Sequence, residues 1–179
     1  MLEKGIDTFV SVMERLEQNG ARVRPLVVGA GPASALFEGL PATILTGHVA
    51  GENLARAVAC ADVLLCPSTT ETFGNVLVEA MASGLPVVSA DAQNARSILT
   101  PGLDGFICPP VDIDAYATVL ARLIADPGLR HTIGAAARRT SLTYSWEAAS
   151  RSVETAYREV LARAASNASS TSRRRSLPK

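Results

Sequence analysis

The chain of 179 residues has the length of one ordinary domain and is too short for two full nucleotide-binding domains. Apolar residues make up 47% and charged residues 19%, which supplies a core and excludes general disorder. Seventeen basic residues balance seventeen acidic ones, and a formal net charge of zero argues against nucleic acid as a partner.

Taken in chain order, Met1-Leu2-Glu3-Lys4-Gly5 puts charge where a signal peptide would carry its apolar segment, and is not read as one. Short apolar runs with β-branched content predict strands at 26–29, 42–45, 62–66, 86–89 and 105–108, each buried on both faces. Helical patterns fall between them at 6–19, 32–39, 51–60, 75–83 and 95–99. This alternation predicts an α/β fold with a doubly wound, Rossmann-like parallel sheet. Past Cys108 the pattern turns helical, with an amphipathic stretch at 112–125 broken by Asp126-Pro127 and a helix running to about 140. Ser145 predicts an N-cap for a last helix at 146–165, whose apolar residues Trp146, Val153, Tyr157, Val160 and Leu161 share one face. The domain is therefore expected over 1–165. The stretch 166–179 is rich in serine, carries Arg173, Arg174, Arg175 and Lys179 and no acid, and is expected to be a disordered basic tail. Without the tail, thirteen bases face seventeen acids, a mildly acidic body.

Cys60, Cys66 and Cys108 are odd in number and lack metal-ligand spacing, so they are expected to be reduced and buried. No run approaches the roughly 20 apolar residues of a membrane span. A cytoplasmic location is expected, with peripheral membrane contact through the basic tail or a lipid acceptor as a further expectation. The sequon at Asn167 is then expected to carry no glycan.

The chemistry concentrates in Pro67 to Val88. A buried strand ends at Cys66-Pro67, a polar loop follows, and Phe73-Gly74-Asn75 opens a helix. Helix N-termini at the carboxyl ends of such strands turn free N–H groups toward an anion. Gly74 lets a phosphate or a sugar hydroxyl approach the backbone. Glu71 and Glu79 are carboxylates that can accept paired hydrogen bonds from neighbouring sugar hydroxyls. They are equally explained as ordinary acids near a helix start. A nucleotide sugar fits if its two sugars each meet one carboxylate and the diphosphate lies between.

These residues stand in a longer ordered set. Pro67-Ser68-x-x-Glu71-x-Phe73-Gly74-Asn75 leads into Glu79-Ala80-Met81-Ala82-Ser83-Gly84-x-Pro86-Val87-Val88. Upstream stand Glu3-Lys4-Gly5, Val28-Gly29-x-Gly31-Pro32, Gly47-His48-Val49 and Ala61-Asp62-Val63; downstream stand Gly102-x-x-Gly105, Pro109-Pro110-x-Asp112 and Ser145-Trp146. The set resembles the C-terminal, nucleotide-sugar-binding domain of the retaining family 4 glycosyltransferases, enzymes of the GT-B fold, over about residues 3–165. The resemblance implies transfer of a hexosyl group, with retention, from a UDP- or GDP-sugar to an unknown acceptor, without a metal or cofactor. It implies Glu71 and Lys4 as catalytic residues, Glu71 on the donor sugar and Lys4 on the departing diphosphate. It implies donor contacts from Phe73, Gly74, Asn75 and Val76, a ribose contact from Glu79, and base contacts near Gly47 and His48. The alternatives are a free-standing nucleotide-sugar-binding module without turnover and a fragment similar to a sugar-nucleotide epimerase.

Three departures matter. After the strand at 86–89 the family commonly has a glycine pair and an acid; here Asp91-Ala92-Gln93-Asn94-Ala95-Arg96 stands instead, with Gln93, Asn94 and Arg96 as unranked substitutes. Gly29-Ala30-Gly31 lacks a dinucleotide fingerprint and reads as a tight turn. Asp112-Ile113-Asp114 reads as an N-cap and first-turn acid, not as a metal motif. The resemblance also places Met1 after the family's first, central strand. The strands at 26–29 and 62–66 are then expected to close on each other or to carry unpaired backbone groups. An acceptor-binding domain is the missing partner, without which the chain is expected to be inactive.

Overall fold

The structure, a computed structural model, describes residues 4–175, with side chains to residue 163. It divides into two units, Met1–Leu142 and Thr143–Lys179.

In the first unit, helix α1 (Ile6–Gln18) starts from Gly5 in the left-handed region and buries Val12, Met13 and Leu16. Strand β1 (Leu26–Val27) pairs in parallel with β2 (Ile44–Leu45), Leu26 opposite Ile44. A 3-10 turn at Pro32–Phe37 stands where an α-helix is expected at 32–39, opened by Gly31 and Pro32. After α2 (Gly51–Ala59), strands β3 (Leu64–Cys66), β4 (Val87–Ala90) and β5 (Gly105–Cys108) form a second parallel sheet in the order β3-β4-β5. Helices α3 (Asn75–Ala82) and α4 (Gln93–Ile98) connect its strands. Helices α5 (Ile113–Ala125) and α6 (Pro127–Ser141) follow it.

The second sheet is wound on both faces, as side-chain alternation requires. Val88 and Ala90 of β4 join Val12, Leu16, Tyr116 and Leu123 of α1 and α5 in one core. Val87 joins Leu77, Met81, Ala95, Ile98 and Ala137 of α3, α4 and α6 in the other. Every residue of β4 is buried. At roughly 25 cal/mol per Å2 of apolar surface, burial of these side chains dominates the stabilisation. Two aspartates set the ends of the last helices. The Asp112 carboxylate accepts from the Ala115 N–H (3.0 Å) and that of Asp126 from Leu129 (2.9 Å), with Pro127 in the first turn.

The expectation of strands buried on both faces holds for β4 and fails for β1, β2, β3 and the middle of β5, where Phe106 and Ile107 are half-buried. Leu26, Val27, Leu64 and Leu65 are half-buried, and Ile44 and Leu45 are 44% exposed. For β1 and β3 the physical reason is the break in the sheet, whereas β2 and β5 are outer strands. Among the described residues no strand lies between β1 and β3, and the two do not pair. Cys66 and Cys108 are buried as expected, but Cys60 is exposed, because it ends α2, a helix with no buried residue.

The second unit holds α7 (Trp146–Arg175). The Ser145 hydroxyl accepts from the Ala148 N–H (3.1 Å), the cap read from the sequence. The helix runs through 166–175, part of the stretch expected as tail, although Ser, Asn and Thr are weak helix formers; propagation from a formed helix costs far less than nucleation. Residues 176–179 lie outside the described residues.

Candidate functional site

The site is built on the carboxyl end of β3 and the loop that leads into α3. Gly5 lies against this loop. A Cβ there would stand 2.4 Å from the Pro67 carbonyl oxygen, so only glycine permits the approach. The close approach delivers the next residue back, Lys4. Its ammonium donates to Glu71 Oε1 at 2.5 Å, across 67 residues of sequence. Lys4 is largely exposed and Glu71 mostly covered. The buried Ser68 hydroxyl also donates to Glu71 Oε1, at 3.4 Å.

Gly74 caps α3 at φ 87° and is buried. The Leu77 and Val78 amides both return to the Gly74 carbonyl, at 2.9 and 3.4 Å. The Asn75 and Val76 amides precede that ladder and are left for an external acceptor. Behind Gly74 sits Asn94, whose Nδ2 would be 2.6 Å from a Cβ at Gly74. Asn94 is buried, and among the described residues its Oδ1 has no hydrogen-bond partner. Glu79 follows one turn further along α3 and is exposed.

One cleft of about 820 Å3 brings these groups together. Lys4, Glu71, Phe73, Gly74, Asn75, Val76 and Glu79 all line it. Gly47 and His48 are not among its lining residues. Gly47 stands beside it, because its carbonyl accepts from the N–H of Gly29, which does line it (2.9 Å). His48 is exposed.

The geometry also separates the three residues that replace the glycine pair. Arg96 donates twice to the Asp91 carboxylate (2.5 and 2.7 Å), and that contact holds the Asp91 carboxyl below the usual range. Gln93 is exposed, and Asn94 is buried against Gly74 in the loop of the site. Asp112 caps α5 and Asp114 pairs with Arg15, so both acids of the Asp-x-Asp stretch are engaged away from the cleft.

Sequence reasoning missed three contributors. Gly5 is legible only once Pro67 is beside it. Ser68 reads as a generic loop serine. The 29–31 turn is a turn as read, but it also lines the cleft together with Ser34. Burial pushes the Cys66 thiol up from its ordinary value, so this cleft cysteine is a neutral wall group.

With this geometry in view, comparison with known proteins fixes the family. Residues 1–126 match the model described as glycosyl transferases group 1, and the chain belongs to that family. It is 38% identical over 159 residues to a sulfoquinovosyl transferase of Arabidopsis thaliana, covering 85% of this chain and 30% of that protein. It is 36% identical over 146 residues to a GDP-mannose-dependent alpha-mannosyltransferase of Mycobacterium tuberculosis, covering 80% of this chain and 36% of that protein. The chain thus spans about a third of the length of these relatives. Among solved structures, a sucrose-phosphate synthase from Thermosynechococcus elongatus superposes with a TM-score of 0.77 at 28% identity, covering 90% of this chain and 43% of that one. The C-terminal domain of a glycosyl transferase group 1 family protein from Francisella tularensis superposes with a TM-score of 0.68 at 25% identity, covering 80% of both chains. The fold is that of GT-B glycosyltransferases. Among the described residues no helix is long and apolar enough to cross a membrane.

Proposed function

We propose that this chain is the donor-binding, C-terminal half of a retaining hexosyltransferase that takes a UDP- or GDP-sugar. The observation that carries the reading is the convergence of Lys4, Glu71, the α3 N-terminus and Glu79 on one cleft. In this reading the Asn75 and Val76 amides meet the diphosphate, where the helix macrodipole favours negative charge. Lys4 shifts from Glu71 to the diphosphate and stabilises the charge that develops as the bond to the anomeric carbon breaks. Glu71, released from the ion pair, accepts hydrogen bonds from the donor sugar's hydroxyls. Glu79 accepts from the ribose hydroxyls. The acceptor and its binding domain are supplied by polypeptide beyond this chain, and the transfer uses no metal. The Francisella domain, matched over 80% of its own length, supports the C-terminal placement. The mannosyltransferase relative supports a nucleoside diphosphate sugar as donor.

The test is calorimetric titration of the chain with UDP and GDP, with ADP as the contrast. One of the first two should bind and raise the thermal midpoint, since a ligand held only by the native state stabilises it. Glu79→Ala should weaken that nucleotide about tenfold or more, the value of a hydrogen bond to a charged group. An unchanged affinity removes the ribose assignment.

A further inference from the structure

The turn from Asp91 to Ser97 stands behind the donor loop and has no part in the donor contacts. Asp91 follows β4, the strand in which every residue is buried. Its N–H donates to the Cys108 carbonyl at 2.8 Å, and its carboxylate receives the Arg96 guanidinium at 2.5 and 2.7 Å. The Arg96 N–H donates to the Ala92 carbonyl at 3.0 Å, and the Ser97 hydroxyl to the Asn94 carbonyl at 2.8 Å. Ala95, Ile98 and Leu99 are buried in the core that also holds Leu77 of α3. The backbone of Asn94 is therefore anchored on both sides, and its carboxamide is presented to Gly74.

At Gly74, Asn94 Nδ2 stands 2.6 Å from where a Cβ would be, and the Leu77 side chain stands 3.4 Å from the same point. Gly74 has no side chain with which to cap α3, so its position is set by these two neighbours. The Asn94 side chain is costly in this place. The residue is 5% exposed, and among the described residues its Oδ1 has no hydrogen-bond partner. An apolar side chain of the same shape would fill the space without burying an unpaired acceptor. Packing alone therefore does not account for a carboxamide.

We infer, on the donor reading of the cleft, that Asn94 is a positioning residue for the nucleotide sugar. It touches no part of the nucleotide and acts through Gly74. The carboxamide fixes where Gly74 lies, and so where the Asn75 and Val76 amides point. The diphosphate takes those two amides, which leaves the Gly74 N–H as the donor beside the carboxamide. As the diphosphate draws the α3 N-terminus toward it, Oδ1 accepts from the Gly74 N–H. Pairing the acceptor removes the cost of leaving it unpaired, so the nucleotide-bound arrangement of the loop is favoured by that amount.

The test compares the native chain with Asn94→Leu, which keeps the volume and removes the polar atoms. Calorimetry with UDP and with GDP gives the affinity, and thermal melts give the stability. The expected result is a split. Asn94→Leu melts at or above the native midpoint, because it buries no unpaired acceptor, and binds the nucleotide about tenfold more weakly or worse. Native affinity in Asn94→Leu overturns the inference and leaves the donor reading standing. A midpoint that falls together with affinity makes Asn94 a structural residue and overturns it too. NMR of the native chain supplies a second measurement that needs no variant. Saturating nucleotide should move the Gly74 amide proton downfield and shift the Asn94 carboxamide signals; an unmoved Gly74 amide overturns the inference. If the native chain binds neither UDP nor GDP, the donor reading itself falls, and the native titration shows this before any variant is made.

Discussion

Gly74 and Asn94 show how the site is held at the scale of single residues. Gly74 sits at φ 87°, where an L side chain costs about 1–2 kcal/mol. A Cβ there also meets the Asn94 carboxamide at 2.6 Å. Gly74→Ala should therefore lower stability by more than the backbone term alone and reduce nucleotide binding. Asn94 is the end of a movable side chain, so the steric part should be relieved in the Gly74→Ala, Asn94→Ala pair. Urea denaturation of the four proteins of this cycle measures the coupling, and additive losses would contradict the contact. Gly5 is constrained differently, because the two nearest atoms are the Pro67 carbonyl oxygen and carbon, which are backbone and cannot rotate away. Lys4 reaches Glu71 because of that contact. An exposed ion pair of this kind contributes little stability by itself, so its value lies in position.

Among the elements, α6 fixes the back of α3. Gly134 of α6 lies against Gly84, in the turn between α3 and β4, and a Cβ at Gly134 would stand 2.0 Å from the Gly84 carbonyl oxygen. Arg138, one turn on, donates to the Ala82 carbonyl at the end of α3. Two backbones meet here, so neither can yield without moving a whole element. Gly134→Ala should cost about 1–3 kcal/mol by overpacking, despite the better helix propensity of alanine. Asp126→Ala, which removes only a cap, should cost about 1 kcal/mol. Thermal melts of the two variants rank the effects, and a Gly134→Ala variant more stable than the native chain would refute the packing. The α3–α6 contact lies on the face away from the cleft, so a change in stability without a change in nucleotide affinity separates support from binding.

The whole molecule has an alkaline limit set by its core. Cys108 and Tyr116 belong to the core shared by α1, α5 and β4. Burial, with the Asp112 charge adding to it, pushes the Cys108 thiol up from its ordinary 9.0 to about 11. Burial also raises the Tyr116 hydroxyl, which has no hydrogen-bond partner among the described residues. A raised folded value means that the native state keeps its proton after the unfolded chain has lost it. Stability from this source is complete below about pH 9 and is lost as pH rises toward about 11. Urea midpoints measured across that window should fall with pH, and more steeply in the native chain than in Cys108→Ala. Equal slopes would remove Cys108 as a cause.

Much of this was legible in the sequence, for local reasons. Strand and helix alternation fixed the class of fold, because the period of apolar residues records which face each element buries. The caps at Asp112 and Ser145 were legible because a cap acts within three residues of itself. The ordered motifs around Glu71 and Glu79 indicated a glycosyltransferase of the GT-B type, and the match to glycosyl transferases group 1 bears out that much. Only the tertiary structure decided what depends on distant chain meeting in space. It placed Gly5 on Pro67 and so Lys4 on Glu71, and it singled out Asn94 among three neighbours. It also left β1 and β3 as separate edges, although each reads as a buried strand. Propensity and pattern describe a strand by its own side chains. Whether its backbone is paired depends on a neighbour, and that neighbour is fixed only when the chain has folded.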